Sequence, residues 1–456
     1  MKRFFVDKLE KWSDNPLRKP LVLSGARQVG KTWLLKEFGR THFKRVAYVN
    51  FERHPELAAL FEGAFDFRRI LTGLQAASGV QIVAGETLVV LDEIQLCGVA
   101  LTGLKYWQEE HNDYAVAAAG SLVGLSLMEG TGYPVGKTNT MTLYPMSFGE
   151  FLVAIGEEAL WGLVQTGDSK LLTAFGAKSR ELLKTYLLVG GMPAAVETYV
   201  RTLSLPEVRA VQTDILSDYA RDFAKHASKR DVPRIAAIWE SLPRQLAKED
   251  KRFVSAKVVV GGAKARARDL HDPFVWLEAA GLACRVWNVT KPALPLASYR
   301  NHMFKLFGLD VGLLAAQSHL APSAVVEGNR AFTEFKGALT EQYVQQELRA
   351  ALEVEPFTWA PSDSSAEIDF LVESTCGIVP IEAKAERNLQ AKSLGVYRAK
   401  FAPPLAVRTS LADPHEADGL WDIPLWALGS NCNRLVLPHK VAERPLKPVA
   451  LSSAWA

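Results

Sequence analysis

Residues 21–32, Leu-Val-Leu-Ser-Gly-Ala-Arg-Gln-Val-Gly-Lys-Thr, constrain the fold more than any other stretch of the chain. Leu21 to Ser24 read as a short buried strand. Gly25, Ala26, Arg27, Gln28, Val29, Gly30, Lys31 and Thr32 then fit the pattern G-x-x-x-x-G-K-[ST], and Trp33, Leu34, Leu35 and Phe38 begin a helix at once. Strand, glycine loop and helix form the context in which backbone N–H groups and a helix N-terminus converge on phosphate. In this pattern the lysine reaches the β/γ-phosphates and the threonine hydroxyl holds Mg²⁺, so Lys31 and Thr32 are the expected ligands of ATP and its metal. The fold class is α/β.

A second strand completes that expectation. Thr87-Leu-Val-Val-Leu-Asp92-Glu93 is an apolar run ending in two acids. A buried parallel strand reads this way, and it delivers Asp92 and Glu93 to the carboxyl edge of the sheet, where ligands sit. Asp92 is expected to bind Mg²⁺ through water, and Glu93 to polarise the attacking water. Arg45 to Phe51 reads as a strand between the two motifs. Another, Ala115 to Ala119, follows them and ends in Gly120-Ser121.

This order is similar to that of the AAA+ ATPases with an additional strand, and the resemblance gives Ser121 the role of a polar γ-phosphate sensor. Gly136-Lys137 and Leu143-Tyr-Pro-Met-Ser-Phe-Gly-Glu-Phe151 narrow it to prokaryotic AAA-domain ATP-binding proteins. Lys137 stands where that group has arginine, and it lacks the planar fork of a guanidinium. Residues 149–228 are expected to form the helical lid and connector. Within them, Arg221 reads either as an arginine finger or as half of an ion pair on a helix surface.

Composition narrows the remaining classes. A length of 456 residues suits about two to four domains. The four cysteines (Cys97, Cys284, Cys376, Cys432) are scattered, which argues against a disulfide framework or a zinc site. Asp7 and Lys8 interrupt the apolar start, and the longest apolar run is too short for a bilayer, so a cytoplasmic protein without membrane partners is expected. Net charge is +3, but residues 230–305 hold fourteen Lys/Arg against seven Asp/Glu, a local net of +7. The helical pattern from Ile235, the basic run Lys264–Arg268 and Leu277-Glu-Ala-Ala-Gly-Leu282 leading into Cys284-Arg-Val-Trp287 resemble a winged helix. Residues 229–325 therefore read as a basic domain able to contact nucleic-acid phosphates.

A further constellation lies downstream. Gly337 to Leu348 reads as an amphipathic helix with Leu339, Tyr343, Val344 and Leu348 on one face. Three strands follow, around 357–360, 367–372 and 378–384. Asp369 on one strand and Glu382-x-Lys384 on the next match the PD-(D/E)XK nuclease pattern, and Glu341 fits the helix-borne acid some members add. Two such carboxylates can converge on Mg²⁺, with the lysine beside the metal.

From about Lys19 to Leu411 the chain resembles prokaryotic ATP-binding proteins that join an AAA domain to a C-terminal domain of unknown function. The resemblance implies an AAA+ core (1–148), the lid (149–228), the basic domain (229–325) and a restriction-endonuclease-like domain with a C-terminal tail (326–456). It also implies ATPase activity. Together with the basic segment, the leading expectation is an ATP-hydrolysing homo-oligomer, such as a hexamer, acting on nucleic acid, DNA or branched DNA. Two rivals are an ATP-gated, metal-dependent DNA nuclease and a signalling or defence switch of the STAND type that binds a protein partner.

Overall fold

The computed structural model describes residues 1–63, 65–121, 136–248, 250–321, 330–361, 366–387 and 391–436, without the side chains of 330–334. The tail beyond 436, about which the sequence yields no motif, lies outside them. The nucleotide half is built on five strands: β1 (Leu21–Ser24), β2 (Arg45–Asn50), β3 (Thr87–Asp92), β4 (Ala115–Ala119) and β5 (Asn139–Thr142). All pair in parallel in the order β2-β3-β4-β1-β5, so β4 is inserted between the acidic strand and the loop strand, as expected.

Strand periodicity divides this sheet between two cores. Leu21, Leu23, Leu88, Val90, Ala115 and Ala117 face one, which takes in Leu34, Leu35 and Phe38 of the helix after the loop and runs on into the helices beyond. Val22, Val49, Val89, Leu91, Val116 and Ala118 face the other, closed by helices Phe67–Ser78 and Gly98–Glu110. Residues 148–226 are helical, in six helices from Phe148–Ala154 to Leu205–His226.

The second sheet joins what the sequence divides. Its strands are β8 (Ala283–Val289), β9 (Arg300–Gly308), β10 (Phe357–Trp359), β11 (Ile368–Ser374), β12 (Gly377–Ala383), β13 (Ala406–Ser410), β14 (His415–Ala417) and β15 (Leu420–Pro424). The order is β14-β15-β13-β12-β11-β10-β8-β9. The hairpin β8–β9, expected as the wing of the basic domain, pairs through β8 with β10 and so extends the C-terminal sheet across the expected boundary at 325/326. A separate two-stranded hairpin, β6 (Val259–Val260) and β7 (Ala263–Lys264), stands between helices Val232–Leu246 and His271–Ala279.

Helix Arg330–Leu352 corrects a sequence expectation. Leu339, Tyr343, Val344 and Leu348 are buried as read, but Thr340, Glu341, Gln342, Gln345, Gln346 and Glu347 are buried as well. Amphipathic spacing does not expose its polar face because that face is satisfied by neighbouring elements. Gln342 exchanges hydrogen bonds with the Gly308 backbone, both at 2.8 Å, and Glu347 accepts from the Phe148 N–H at 2.8 Å. Gln346 donates to the Tyr186 hydroxyl at 2.9 Å. The helix is a strut between the two halves.

A second junction explains Gly190-Gly191 and Asp310. The buried Asp310 carboxylate accepts from the Gly191 N–H at 2.6 Å and the Leu313 N–H at 3.0 Å, and burial pushes its pKa up to about 6. A Cβ on Gly191 would lie 2.0 Å from the Met146 carbonyl oxygen, a backbone atom that cannot rotate away. Gly191→Ala is therefore expected to destabilise the fold by about 1–3 kcal/mol, the usual cost of overpacking. Urea unfolding measures it, and an unchanged midpoint would remove this junction from the account.

Candidate nucleotide site and a charged buried cluster

The glycine loop has the backbone its sequence requires. Gly25 and Gly30 take φ of +140° and +95°, and Gln28 also lies in the left-handed region at +65°. A side chain at Gly25 would place Cβ 2.4 Å from the Leu143 carbonyl oxygen, so only glycine fits under β5's continuation. Lys31 opens helix Lys31–His42 and is 8% exposed. Its ammonium donates to the Gly25 and Ala26 carbonyls, both at 2.8 Å. Burial lowers its pKa to about 8, opposed by the nearby Glu93 and Asp92 carboxylates. A buried cation in a glycine loop at a helix N-terminus is a donor set suited to a polyphosphate.

Register brings the acids to this loop. Leu23 lies beside Ala119, and Ala119 beside Asp92. The Thr32 hydroxyl donates to Asp92 Oδ2 at 2.8 Å, joining the two residues that the sequence motifs mark as metal ligands. Glu93 follows with φ of +53°, an uncommon conformation for a non-glycine residue, and its Oε2 accepts from Gln95 Nε2 at 2.5 Å. Ser121 is buried just past the end of β4, at the same carboxyl edge. Lys31, Thr32, Asp92, Glu93 and Ser121 thus all lie at the carboxyl edge of the sheet, with the Asp92 and Glu93 carboxylates acting on the Lys31 charge.

Lys137 does not join them. It precedes β5 by two residues, and β5 runs parallel to β1, so Lys137 lies at the amino edge while the loop lies at the carboxyl edge. There it pairs with Glu109 at 2.9 Å. Sequence spacing from the sheet did not reveal which edge it would occupy. Arg221 takes the second of its two readings: it is exposed and bonds Asp218 one turn away at 2.7 Å.

Several contacts to the loop escape the sequence reading. Tyr48 donates its hydroxyl to Asp92 Oδ2 at 2.8 Å, and Asn50 donates to the Tyr48 oxygen at 3.3 Å. Burial, then the Asp92 carboxylate, pushes the Tyr48 phenol up to about 12. The period of two in Arg45–Asn50 places Tyr48 and Asn50 on one face, a signal that was present in the sequence. Others had none. Arg3 donates to the Val29 carbonyl at 2.9 Å, Arg27 pairs with Asp222, and the Tyr219 hydroxyl donates to the Arg27 carbonyl at 2.8 Å. Gly281, in the turn after helix His271–Ala279, is so close that its Cβ would meet the Ala26 nitrogen at 3.2 Å.

The nuclease-like residues also come together, but around lysines. Asp369 on β11 and Glu382 on β12 face Glu341 on the strut helix, with Glu367 beside them. Lys305, on β9 and 2% exposed, sits among the acids: it donates to Glu341 Oε2 at 3.1 Å and Asp369 Oδ1 at 3.2 Å, and pairs with Glu367 at 2.5 Å. Lys251 pairs with the other Glu341 oxygen, the Ala383 N–H with Asp369 Oδ2 at 3.0 Å, and Lys384 with Glu382 Oε1 at 2.6 Å. Burial alone opposes the Lys305 charge, yet Glu341, Asp369 and Glu367 hold its pKa well above the usual lysine value. Against the cost of burying it, Lys305 and Lys251 keep Asp369 below the usual carboxylate range. Burial and then Asp369 push Glu382 up to about 8.

This set does not fit a divalent cation, which needs carboxylate oxygens free to face it. Both oxygens of Glu341 and Asp369 are engaged, and an ammonium fills the space between them. Of the carboxylate oxygens of this cluster, only Glu382 Oε2 is buried without a hydrogen-bond partner. Among the described residues no group of three acidic, histidine or cysteine side chains is arranged to hold a metal. None of their helices is long and apolar enough to cross a membrane.

Comparison with known families places an AAA domain at residues 17–152. A domain of unknown function (DUF8612) matches 180–324, and another (DUF4143) matches 336–428. Among curated proteins nothing matches. Solved structures with detectable similarity include the Walker-type ATPase of Pyrococcus abyssi, at 15% identity over 69% of this chain and 94% of that one, with a TM-score of 0.42. The ORC1 protein of Aeropyrum pernix in complex with DNA is 14% identical over 72% of this chain and 95% of its own, with a TM-score of 0.24. Cdc6p of Pyrobaculum aerophilum is 14% identical over 71% and 92%, also at 0.24. At these scores the three are loose likenesses. The chain carries an AAA domain, and the loop and acids described above lie within it.

Proposed function

We propose that the chain is a Mg²⁺-dependent ATPase that works as a homo-oligomer and acts on nucleic acid, with DNA as the favoured polymer. The hydrogen bond from Thr32 to Asp92, beneath a loop holding a buried Lys31 ammonium, carries the ATP reading. Lys31 would exchange its two loop carbonyls for phosphate oxygens, and Thr32 and Asp92 would hold Mg²⁺. When bound, the metal supplies charge neutralisation at the phosphates. Glu93 would orient water and accept its proton, with Ser121 at the same edge.

Lys137 lies at the far edge of the sheet, paired with Glu109, so it is not the cation for the leaving phosphate. In the proposed homo-oligomer a neighbouring copy would supply that cation. The nucleic-acid half of the reading draws on the local net charge of +7 in residues 230–305. Lys305 argues for a C-terminal domain that serves as a binding platform and does not cleave.

The test is ATP turnover with and without DNA. Lys31→Ala is expected to lower turnover at least about 100-fold, the scale of losing a charge-stabilising donor. Retained turnover in that variant would refute the site. DNA that neither binds nor alters turnover would remove the nucleic-acid half while leaving the ATPase.

A further inference from the structure

Resting on the nucleic-acid reading above, we propose a specific contact surface: residues 255–268 bind the sugar–phosphate backbone of duplex DNA, and helix His271–Ala279 does not read its bases. In a winged helix, the helix before the wing is the expected reader. Here its sequence is His-Asp-Pro-Phe-Val-Trp-Leu-Glu-Ala. It has no arginine, lysine, asparagine or glutamine, the side chains that make the common bidentate contacts to guanine and adenine. Pro273, Phe274, Trp276 and Leu277 are buried, and Glu278 is bonded to Arg285 at 2.5 Å. The exposed remainder, His271 and Asp272, offers a phosphate no fixed cation.

The neighbouring hairpin has the opposite character. Gly261 and Gly262 turn with φ of +56° and +82°, and nothing lies within 4 Å of where their Cβ atoms would stand, so β6–β7 projects into open space. Lys257, Lys264, Arg266 and Arg268 are all exposed along it. Elsewhere on the surface, cations are commonly answered by acids: Arg40 by Glu37, Arg221 by Asp218, and Arg252 by Asp250. Among the described residues no carboxylate lies within 4.0 Å of Lys257, Lys264 or Arg266, and Arg268 reaches Asp269 only at 3.8 Å. Lys248 adds to the group from the end of the preceding helix; burial and then the adjacent Lys257 ammonium lower its pKa to about 8.

Like charges held together without counter-charges form a surface completed by a polyanion, and phosphate contacts of this type release counterions. They position a protein on a duplex without reading sequence. The base of the hairpin is anchored: the Phe253 N–H donates to the Phe304 carbonyl at 2.8 Å, and their rings stack at 5.3 Å. The contact surface is therefore tied to β9, the strand that carries Lys305. Across the helix, Gly281 touches the nucleotide loop at Ala26.

Fluorescence anisotropy of the full chain with a labelled duplex, from roughly 50 to 200 mM salt, tests the assignment. The triple variant Lys257→Gln, Lys264→Gln, Arg266→Gln is expected to bind at least about tenfold more weakly, with the salt slope smaller by about 1 per cation removed. Two unrelated duplex sequences should lose affinity equally. His271→Ala with Asp272→Ala should bind as the unaltered chain does. All variants should keep its thermal midpoint and basal ATP turnover. If the chain binds DNA and the triple variant binds it equally well, the hairpin assignment fails alone. If the unaltered chain does not bind duplex at the lowest salt, both the hairpin and the nucleic-acid reading fail. Tighter binding to phosphatidylserine vesicles than to DNA, lost in the triple variant, would overturn the assignment in favour of a membrane surface.

Discussion

Replacing Glu93 with glutamine is expected to lower ATP turnover by about 10²–10⁴-fold, the usual contribution of a positioned base, while nucleotide affinity is retained. The contrast follows from geometry. In the proposed site Lys31 and the loop backbone would supply binding, and the hydrogen-bonded Thr32–Asp92 pair would supply the metal position; none of them is altered in this variant. Glu93 sits one residue past Asp92 in a left-handed conformation, which swings its carboxylate away from the strand direction. Glutamine at 93 keeps the length of the side chain and the same backbone cost, about 1–3 kcal/mol for such a conformation, so the folded state should be unaffected. Steady-state turnover with a fluorescent-nucleotide binding curve separates the two effects. Turnover within tenfold of the unaltered chain would show that another group activates the water. Loss of binding with turnover would place Glu93 in the ligand set.

The second large effect concerns Lys305. Lys305→Met, close in length and unable to carry charge, is expected to cost about 3–5 kcal/mol, the scale for breaking a buried ion pair. The reason is the cluster it leaves: Glu341, Glu367 and Asp369 would face one another across the space the ammonium filled. A divalent cation could then take that space. Thermal unfolding without nucleotide, with and without Mn²⁺, reads both effects. The unaltered chain should show no shift that depends on Asp369. The Lys305→Met variant should melt lower and be raised by Mn²⁺, and adding Asp369→Asn should remove that rescue. Asp369-dependent Mn²⁺ stabilisation of the unaltered chain, together with DNA cleavage, would refute the platform reading and restore the nuclease one.

Legibility differed between the two sites for a physical reason. The nucleotide site is local. Gly25 to Thr32 form one loop because Gly25 and Gly30 take conformations that side chains rarely adopt, and Asp92-Glu93 must reach the same edge because parallel strands align their carboxyl ends. Tyr48 was readable from strand alternation and went unread. Lys137 shows the limit of that logic, since Asn139–Thr142 does not announce itself as a strand, and only that strand puts Lys137 at the amino edge. In the C-terminal half the pattern of Asp369, Glu382 and Lys384 did identify residues that meet, along with Glu341 from the helix. It did not identify what fills the space between them. Lys305 lies 64 residues before Asp369, on a strand read as part of another domain.

The sequence by itself determined the loop, its acids, four of the five parallel strands with β4 inserted among them, and three strands of the C-terminal sheet. Each follows from backbone conformation or residue periodicity within a short segment. Only the tertiary structure decided that β8 and β9 extend the C-terminal sheet, that residues 338–348 of the strut helix are buried all round, and that lysines occupy the acidic cluster. Those outcomes depend on which distant groups satisfy a buried charge or hydrogen bond. Periodicity records how a segment faces the interior, but not which partner it meets there.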